Sequence, residues 1–404
     1  MSGKMTGVTL LADWEPRPDF VLGPKDEEGK KTYLGSKVWR NPRMEMMEFD
    51  IPEPGPDEVL IQVKVCGICG SDVHLAQPDD DGYMLYPGLS GVPSILGHEL
   101  SGVVVKAGEK AFDKRTNKPF KGGERVCAEE MLWCGMCKPC ADGYPNHCER
   151  LDEIGFNVHG AFAPYIVLPS RVLWSIEPLA KMYDNELDMF VAGSMIEPTC
   201  VAYNAVIERG GGIRPGDKVV ICGGGPIGAT ACAILKRQGA SVVIISEPAE
   251  DRAKLCLGMG ADKWVNPAKE DFTEKVLEYT DGMGADLYLE ATGLPTVVYP
   301  GIEDAIWNGR TLNATVVVVA RADAKIQVSG EVYQVRRASI VGAQGHSGHG
   351  TFPRVIECIA DGMDILSLNT KRIKLDEVIE NIIDMRTNKS DCKVSCIVDE
   401  SLLK

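Results

Sequence analysis

The chain has 404 residues, 44% of them hydrophobic and 25% charged, which is typical of a globular protein with sizeable buried cores. This length exceeds what one core usually accommodates and predicts two domains. A formal net charge of -15 and a pI near 5.0 argue against a sequence-independent grip on a phosphate backbone, so no nucleic-acid partner is expected.

The sequence also indicates the cellular compartment. The first residues lack a basic segment followed by a long apolar run, and no stretch of about 18 apolar residues is evident. We therefore expect a cytoplasmic protein with no membrane partner. Fourteen cysteines without a secretion signal fit metal ligands and buried thiols better than a disulfide framework.

Residues 1 to about 55 are rich in proline, glycine and charge, with only short apolar alternations. This composition predicts an irregular, extended lead-in. The β-branched stretch from Glu58 to Val65 then predicts a strand that leads directly to the first chemically reactive residues.

A cluster of potential metal ligands follows this strand. It comprises Cys69 and, after an intervening loop, the pair His98 and Glu99. A thiolate, an imidazole and a carboxylate give zinc three ligands and leave one position open, as in catalytic zinc sites. Ser71 and His74 follow the thiolate closely enough in sequence to relay a proton from an alcohol substrate. Together these residue types indicate alcohol oxidation.

Two other interpretations of these residues remain open at this point. The spacing Cys66-x-x-Cys69 is also that of a thioredoxin-like redox pair and of half a four-cysteine zinc site. The dipeptide His98-Glu99 is a weak signal by itself, because adjacent side chains diverge on a strand or a helix.

The segment from Gln77 to Ser94 is predicted to be a loop. Its acidic run at 79–81 would in most proteins be simply solvated, although long loops beside a site often shape substrate access. A strand is predicted at Leu100–Val105. Short strands with glycine turns continue to about residue 175 and predict an antiparallel barrel or sandwich.

Four cysteines in this region have the spacing of a closed zinc site. They are Cys134, Cys137, Cys140 and Cys148. Four thiolates fill a tetrahedral shell, so this metal would stabilise a loop and perform no chemistry. Two disulfides are the competing interpretation, and the missing secretion signal argues against them.

Glu197 precedes Pro198 at the expected domain junction, just before a helical run. Its carboxylate could reach back to the catalytic metal. A charge that favours the N-terminus of a helix explains it equally well from spacing alone.

The composition then changes to that of a dinucleotide-binding unit. A buried-strand pattern at Asp217–Cys222 is followed by a glycine-rich turn, a helix at Ala229–Gln238 and a strand at Val242–Ile245. The residues of the turn that would contact the cofactor are Gly223, Gly225, Pro226, Ile227 and Gly228.

Each part of this unit has a physical task. Gly223 permits the tight turn, Gly225 lets a pyrophosphate approach the backbone, and Gly228 lets helix and strand pack closely. Glu247, after the next strand, can accept hydrogen bonds from both ribose hydroxyls and would repel a 2′-phosphate, which favours NAD over NADP. Arg252 is either a surface residue or a ribose or adenine contact.

Further βα alternation follows, and the chain then enters a loop rich in glycine. His346 and His349 in this loop could touch substrate or metal, or be simply solvated. The tail predicts helices near Pro353–Ala360 and Leu375–Met385 and a final strand at Lys393–Val398.

The order of catalytic cluster, four-cysteine lobe and glycine-rich βαβ unit resembles that of the medium-chain zinc-dependent alcohol dehydrogenases, from about Pro52 to the end of the chain. The resemblance implies an α/β protein of two domains. A GroES-like β-barrel catalytic domain is expected at 1–190, completed by 346–404. A doubly wound Rossmann domain that binds NAD is expected at 191–345.

By matching motifs, the resemblance implies one catalytic and one structural zinc ion in each chain. The catalytic ligands that it implies are Cys69, His98, Glu99 and, as the further or alternating ligand of the polyol branch, Glu197. Ser71 and His74 match the proton relay of the family, and Cys66 matches a position that binds no metal.

Four stretches outside the general motifs resemble the branch of the family that oxidises the keto-inositol scyllo-inosose in inositol catabolism. They are Leu34–Arg40, Leu85–Gly88, Cys127–Trp133 and Gly345–Gly350. The expected reaction is hydride transfer from a secondary alcohol of a polyhydroxylated substrate to NAD, in a homodimer or homotetramer. The alternatives are a sorbitol- or threonine-type dehydrogenase, or a zinc- and nucleotide-binding protein without turnover.

Overall fold

The computed structural model of the protein describes residues 3–322, 324–346, 348 and 350–404. It divides into two compact units. The first runs to Glu197 and also contains Phe352–Gly362 and Asn369–Lys404, and the second contains Pro198–Thr351 and Met363–Leu368. The sequence places the domain boundaries a few residues earlier, after 190 and 345, and does not anticipate that residues 363–368 join the second unit.

Strands outnumber helices in the first unit, whereas strands and helices alternate in the second. In chain order the strands are β1 (Lys4–Trp14), β2 (Trp39–Asp50), β3 (Glu58–Ile68), β4 (Ser94–Ile95), β5 (Glu99–Ala107), β6 (Phe112–Asp113), β7 (Lys118–Pro119), β8 (Arg125–Ala128), β9 (Met131–Leu132), β10 (Asp152–Glu153), β11 (Tyr165–Pro169), β12 (Leu173–Ser175), β13 (Lys218–Cys222), β14 (Val242–Ser246), β15 (Lys263–Val265), β16 (Leu287–Glu290), β17 (Thr315–Val318), β18 (Ser339–Gly342), β19 (Asn369–Lys374) and β20 (Lys393–Ile397).

The α-helices are α1 (Gly35–Val38), α2 (Gly70–Ala76), α3 (Lys138–Ala141), α4 (Glu186–Ser194), α5 (Ile196–Tyr203), α6 (Pro226–Gln238), α7 (Glu250–Gly258), α8 (Phe272–Tyr279), α9 (Pro295–Asn308), α10 (Gly330–Arg336), α11 (Thr351–Ala360) and α12 (Val378–Asp384). A π-helical turn, Asn204–Arg209, continues α5.

The first unit is organised around β3. A seven-stranded sheet has the order β12-β8-β5-β3-β20-β19, and β11 also pairs with β3. The strand β3 is antiparallel to β5, β11 and β20, and Val59, Ile61 and Val63 on one of its faces are fully buried in the core. This antiparallel β domain, with the last strand of the chain in its sheet, confirms the predicted fold.

The prediction of an irregular lead-in before residue 55 is wrong. β1 and β2 form an antiparallel ladder over almost their whole lengths, and β1 also pairs with β4. Val8 and Leu10 are fully buried, and Trp14 packs edge-on against Trp39 with ring centroids 5.0 Å apart. The partners of β1 lie far along the chain, so a local pattern rich in proline and charge does not reveal them.

Six parallel strands form the sheet of the second unit, in the order β15-β14-β13-β16-β17-β18. Val219, Val220 and Ile221 of β13 are fully buried, as expected of a strand covered on both faces. The strand order reverses between β13 and β16, which is the position where doubly wound sheets bind nucleotides. The predicted Rossmann architecture is confirmed.

One helical stretch, Glu186–Arg209, is long and apolar enough by length and composition to cross a membrane. However, 83% of its apolar window is buried, as in the core helix of a globular protein. The sequence prediction did not single out this stretch.

Candidate active site and metal centres

Cys69 lies at the junction between β3 and α2. Its amide donates to Asp72 Oδ2 at 2.9 Å and its carbonyl accepts from the Asp72 amide at 3.2 Å, so the two residues fix the start of the helix together. Asp72 is fully buried, and its other oxygen accepts from the Gly97 amide at 3.3 Å. One carboxylate therefore ties the segment that carries Cys69 to the segment that carries His98.

Glu99 opens β5 directly opposite Gly67 of β3. A Cβ atom at position 67 would lie 2.1 Å from Glu99 Oε2. Any larger residue there would displace the carboxylate, so the glycine at 67 makes room for Glu99 beside Cys69.

The three residues predicted to bind a catalytic metal lie together. Donor atoms of Cys69, His98 and Glu99 are all within 4.8 Å of one another, and His98 and Glu99 are buried. One thiolate, one imidazole and one carboxylate form a donor set that fits zinc and leaves a position open. Glu197 on α5 is also buried, and its negative charge acts on both His98 and Glu99.

Cys66 does not belong to a potential metal cluster among the described residues. It is fully buried, and this burial raises the pKa of its thiol well above the ordinary value. A protonated, inaccessible thiol does not fit a thioredoxin-like redox pair with Cys69.

The imidazole of His98 is held on three sides. Its Nδ1 lies 3.8 Å from Asp72 Oδ1, and its Nε2 lies 3.5 Å from Ser71 Oγ. The ring of Phe156 packs against it with centroids 4.8 Å apart. Burial lowers the pKa of His98, but the negative charge of Asp72, together with the hydrogen bond and charge of Cys69 and the charge of Glu197, outweighs burial and raises the pKa well above its usual range. A carboxylate behind a metal-binding histidine commonly orients the ring.

Lys393, on β20, is a further member of this cluster. Its Nζ donates to the two Glu99 oxygens at 2.5 and 2.7 Å and to the Ile68 carbonyl at 3.1 Å, and its side chain is 2% exposed. Burial lowers the pKa of Lys393, but the charge and hydrogen bond of Glu99, together with the charges of Cys69 and Glu197, overcome burial and raise it. The protonated ammonium therefore places one positive charge directly beside the Glu99 carboxylate.

Ser71 and His74 are three residues apart on α2 and therefore share one face of the helix. His74 is exposed, yet burial of part of its ring and the nearby Lys389 ammonium lower its pKa. An imidazole that is neutral near pH 7 and open to solvent can accept a proton and release it.

The four predicted lobe cysteines surround one point. Their sulfur atoms are within 4.8 Å of one another, with Cys137 Sγ at 3.4 Å from Cys140 Sγ and 3.7 Å from Cys148 Sγ. All are free thiols, so the disulfide alternative does not hold. The Met136 amide donates to Cys134 and is the largest cause that lowers the pKa of Cys134 to about 6. Four such donors fit a closed zinc site.

The glycine-rich turn joins β13 to α6, which begins at Pro226 and Ile227. Gly223 has a φ of 103°, and a Cβ on Gly228 would lie 1.8 Å from the Gly223 carbonyl oxygen. A Cβ on Gly225 would meet no atom within 4 Å. The turn therefore needs glycine at two positions and leaves space at the third for a pyrophosphate over the N-terminus of α6.

Glu247 follows β14 at the carboxyl edge of the parallel sheet and is buried. Its Oε2 accepts from the Gly224 amide at 2.7 Å, and its Oε1 accepts from the Ala249 amide at 2.8 Å. The carboxylate is thus fixed beside the glycine-rich turn, where the ribose of a dinucleotide would lie. Arg252, on α7, is half-buried.

The two histidines of the glycine-rich loop differ in what the structure shows. His346 is fully buried, not solvated. His349 lies outside the described residues.

Sequence reasoning missed two residues of the catalytic cluster. An acidic residue at the third position of a short helix, directly after a candidate ligand, was an available signal for Asp72. The only signal for Lys393 is a charged residue in an otherwise buried final strand.

Comparison with known proteins defines the class. The alcohol dehydrogenase GroES-like domain matches residues 55–178, and the zinc-binding dehydrogenase domain matches residues 226–361. The chain belongs to the zinc-dependent alcohol dehydrogenase family and is an oxidoreductase. The predicted family, fold class and reaction class are confirmed.

Individual relatives are also informative. The chain is 60% identical over 396 residues to the scyllo-inosose 3-dehydrogenase of Thermotoga maritima, covering 97% of this chain and 100% of the relative. A solved structure described as an alcohol dehydrogenase from Thermotoga maritima has a TM-score of 0.94 and 59% identity, covering 98% of this chain and 100% of that chain. A zinc-binding dehydrogenase from Sinorhizobium meliloti, solved with NADP, has a TM-score of 0.74 and 26% identity, covering 92% of this chain and 100% of that chain.

Proposed function

We propose that this protein is an NAD-dependent zinc dehydrogenase that oxidises a secondary alcohol of a cyclic polyol, with scyllo-inosose as the substrate. The observation that carries the proposal is the cluster of Cys69, His98 and Glu99, whose donor atoms lie within 4.8 Å of one another beside the Ser71 hydroxyl. The name and the 60% identity of the Thermotoga maritima relative support the substrate.

In this proposal each residue of the catalytic cluster has a separate task. Cys69, His98, Glu99 and Glu197 hold the catalytic zinc, with Glu197 as the further or alternating ligand. When bound, zinc supplies a Lewis acid for the substrate oxygen and NAD supplies the hydride acceptor. Asp72 orients the His98 ring, and Lys393 limits the negative charge of the donor set.

The proton of the oxidised hydroxyl leaves along α2. Ser71 is beside the ligand nitrogen of His98, and its oxygen takes up this proton as its own hydroxyl proton moves on toward His74. His74, on the same helix face, releases a proton to solvent. The lowered pKa of His74 keeps its imidazole neutral near pH 7, so it is ready to accept.

The test of the function is NADH formation, followed by absorbance, with zinc-loaded protein. Scyllo-inosose, myo-inositol, sorbitol, xylitol and threonine are compared at equal concentration. Turnover chiefly on scyllo-inosose is expected. Preference for a linear polyol or threonine would overturn the substrate but keep the reaction class, and no turnover on any of them would overturn the catalytic proposal.

We also propose that the four-cysteine lobe holds a second, structural zinc. Replacing Cys137 with serine should lower the zinc content from about two ions to about one per chain, because the lobe loses one of four thiolates. The thermal unfolding midpoint should fall by about 5 °C or more, since each kcal/mol is worth about 2–4 °C in a domain of this size. Elemental analysis and calorimetry measure the two effects.

Cys358 provides a control for the lobe variant, because it is a half-buried cysteine on α11 outside the lobe. Cys358→Ser should keep both zinc ions. An unchanged zinc content in Cys137→Ser would show that the lobe holds no metal.

NAD is proposed as the cofactor, bound by Gly223, Gly225, Pro226, Ile227, Gly228, Glu247 and Arg252. Replacing Glu247 with glutamine should raise the KM for NAD about tenfold, equivalent to about 1.4 kcal/mol, because the ribose hydroxyls lose a charged acceptor. The ratio of kcat/KM for NADP to that for NAD should rise as well, since the repulsion of the 2′-phosphate is removed. Steady-state kinetics with both cofactors measure this ratio.

Glu250→Gln is the matched control, because Glu250 is exposed on α7 and pairs with Lys254. Its cofactor constants should equal those of the wild type. A wild type that prefers NADP would contradict the assignment of Glu247.

We further propose that the protein is cytoplasmic and assembles as a homodimer or homotetramer, as the family resemblance implies. Light scattering would then give two or four times the chain mass of 43.8 kDa.

A further inference from the structure

Ion pairs join the 77–94 loop to the N-terminal segment of the chain, which carries Arg17. The Arg17 guanidinium contacts the carboxylates of Asp79 and Asp81, the latter at 3.1 Å, and its Nε donates to the Ser36 carbonyl at 3.0 Å. The Arg17 and Asp79 side chains are only 20% and 26% exposed. The acidic run that the sequence pattern assigns to solvent is therefore the attachment point of an arginine.

Tyr83, in the same loop, lies between two arginines. The Cζ atoms of Arg17 and Arg40 are 4.0 and 5.6 Å from the centre of its ring. A backbone hydrogen bond of 2.9 Å from the Met84 amide to the Trp39 carbonyl joins the same two segments. The outer half of the loop is thus fixed to the N-terminal segment by both side chains and backbone.

The inner half of the loop reaches the catalytic cluster. The Tyr86 amide donates to the His74 carbonyl at 3.2 Å, and the Tyr86 ring packs on Phe156 with centroids 5.1 Å apart. Phe156 in turn packs on His98 at 4.8 Å. A continuous set of contacts within the first unit therefore runs from Arg17 through the loop to the ring of a proposed zinc ligand.

We propose that Arg17 is a positioning residue of the catalytic centre. By fixing the 77–94 loop, it holds Tyr86 and Phe156 against His98 and secures α2, which carries Ser71. This inference rests on the proposed function in taking Cys69, His98 and Glu99 as a zinc site. A loop of this length loses considerable conformational entropy when it is fixed, and the contacts at its outer end offset that loss. Without them the His98 ring samples more orientations and zinc dissociates faster.

The test compares Arg17→Met with the wild type in a chelator-driven zinc release assay that needs no substrate. Two release phases are expected, and the phase that is absent from Cys69→Ala identifies the catalytic zinc. Arg17→Met should accelerate this phase about tenfold. This is the low end of the loss of metal affinity that follows when residues supporting a metal ligand are replaced. The substitution should leave the other phase unchanged. Amide hydrogen exchange of residues 77–92 and 70–76 should quicken, and Arg17→Lys should restore part of the wild-type rate.

Arg43→Met is the matched control, because Arg43 is an exposed arginine on β2 that pairs with Asp13 and Glu45. It should leave both phases unchanged. Equal acceleration of both phases in Arg17→Met, or no acceleration, would overturn the inference, since a general loss of stability does not distinguish the two metals. Arg17→Met could selectively accelerate release of the catalytic zinc while the wild type does not oxidise scyllo-inosose. That result would support the inference and overturn the proposed substrate.

Discussion

Replacing Cys69 with alanine is expected to lower turnover by at least about a thousandfold, because several kcal/mol of charge stabilisation at the substrate oxygen are lost with the metal. The variant should retain about one zinc ion per chain, since the four-cysteine lobe is untouched. NADH binding should be unchanged, because the glycine-rich turn lies in the second unit. NADH absorbance, elemental analysis and a fluorescence titration with NADH measure the three quantities.

Cys66 offers a control three residues earlier. It is fully buried and lies outside the cluster of potential metal donors among the described residues. Cys66→Ala should therefore keep both zinc ions and most of the turnover, and lose only packing energy. Equal losses of activity and zinc in the two variants would contradict the assignment of Cys69 as the ligand.

Replacing Lys393 with methionine is expected to lower the free energy of unfolding by about 3–5 kcal/mol, because the buried Glu99 carboxylate loses its cation. Urea unfolding of chelator-treated protein measures this loss without compensation by zinc. The double variant Glu99→Gln with Lys393→Met should recover much of the stability, because no unpaired charge remains buried. It should nevertheless stay inactive, because an amide is a poor substitute for the carboxylate donor.

An exposed ion pair that involves the neighbouring strand β5 provides a reference for this result. Lys106 on β5 pairs with Glu53, and their side chains are 53% and 52% exposed. Lys106→Met should change the free energy of unfolding by less than about 1 kcal/mol, as is usual for solvated pairs. If Lys393→Met lowers the free energy of unfolding as little as Lys106→Met does, the pair of Lys393 and Glu99 does not stabilise the cluster.

The local parts of the architecture were predictable because their signals are short. The β13–turn–α6 unit is encoded in about a dozen consecutive residues, from the apolar strand through Gly223 and Gly228 to the helix, and the structure matches it. The four-cysteine lobe is equally local. Cys69 and His98 were candidate ligands by residue type alone, and the four-cysteine lobe and glycine-rich unit that accompany them favoured the catalytic interpretation.

The parts that failed depend on distant partners. The β1–β2 ladder and the pairing of β1 with β4 are held by contacts that no window of ten residues contains. Lys393 looks like a solvated charge until β20 inserts beside β3 and brings its ammonium to Glu99. Arg17 likewise acquires its role only when the N-terminal segment lies along the 77–94 loop.

The pairing of Glu99 with Lys393 also determines the stage of synthesis at which the donor cluster can be completed. The two residues are 294 positions apart, and the bulk of the second unit is translated between them. A ribosome-bound chain that has already released Cys69, His98 and Glu99 still lacks β20, so its donor carboxylate has no cation beside it. Nascent chains stalled before residue 393 should therefore hold the Glu99 carboxylate without its ammonium partner, and the cluster is completed only after β20 has emerged from the ribosome and paired with β3.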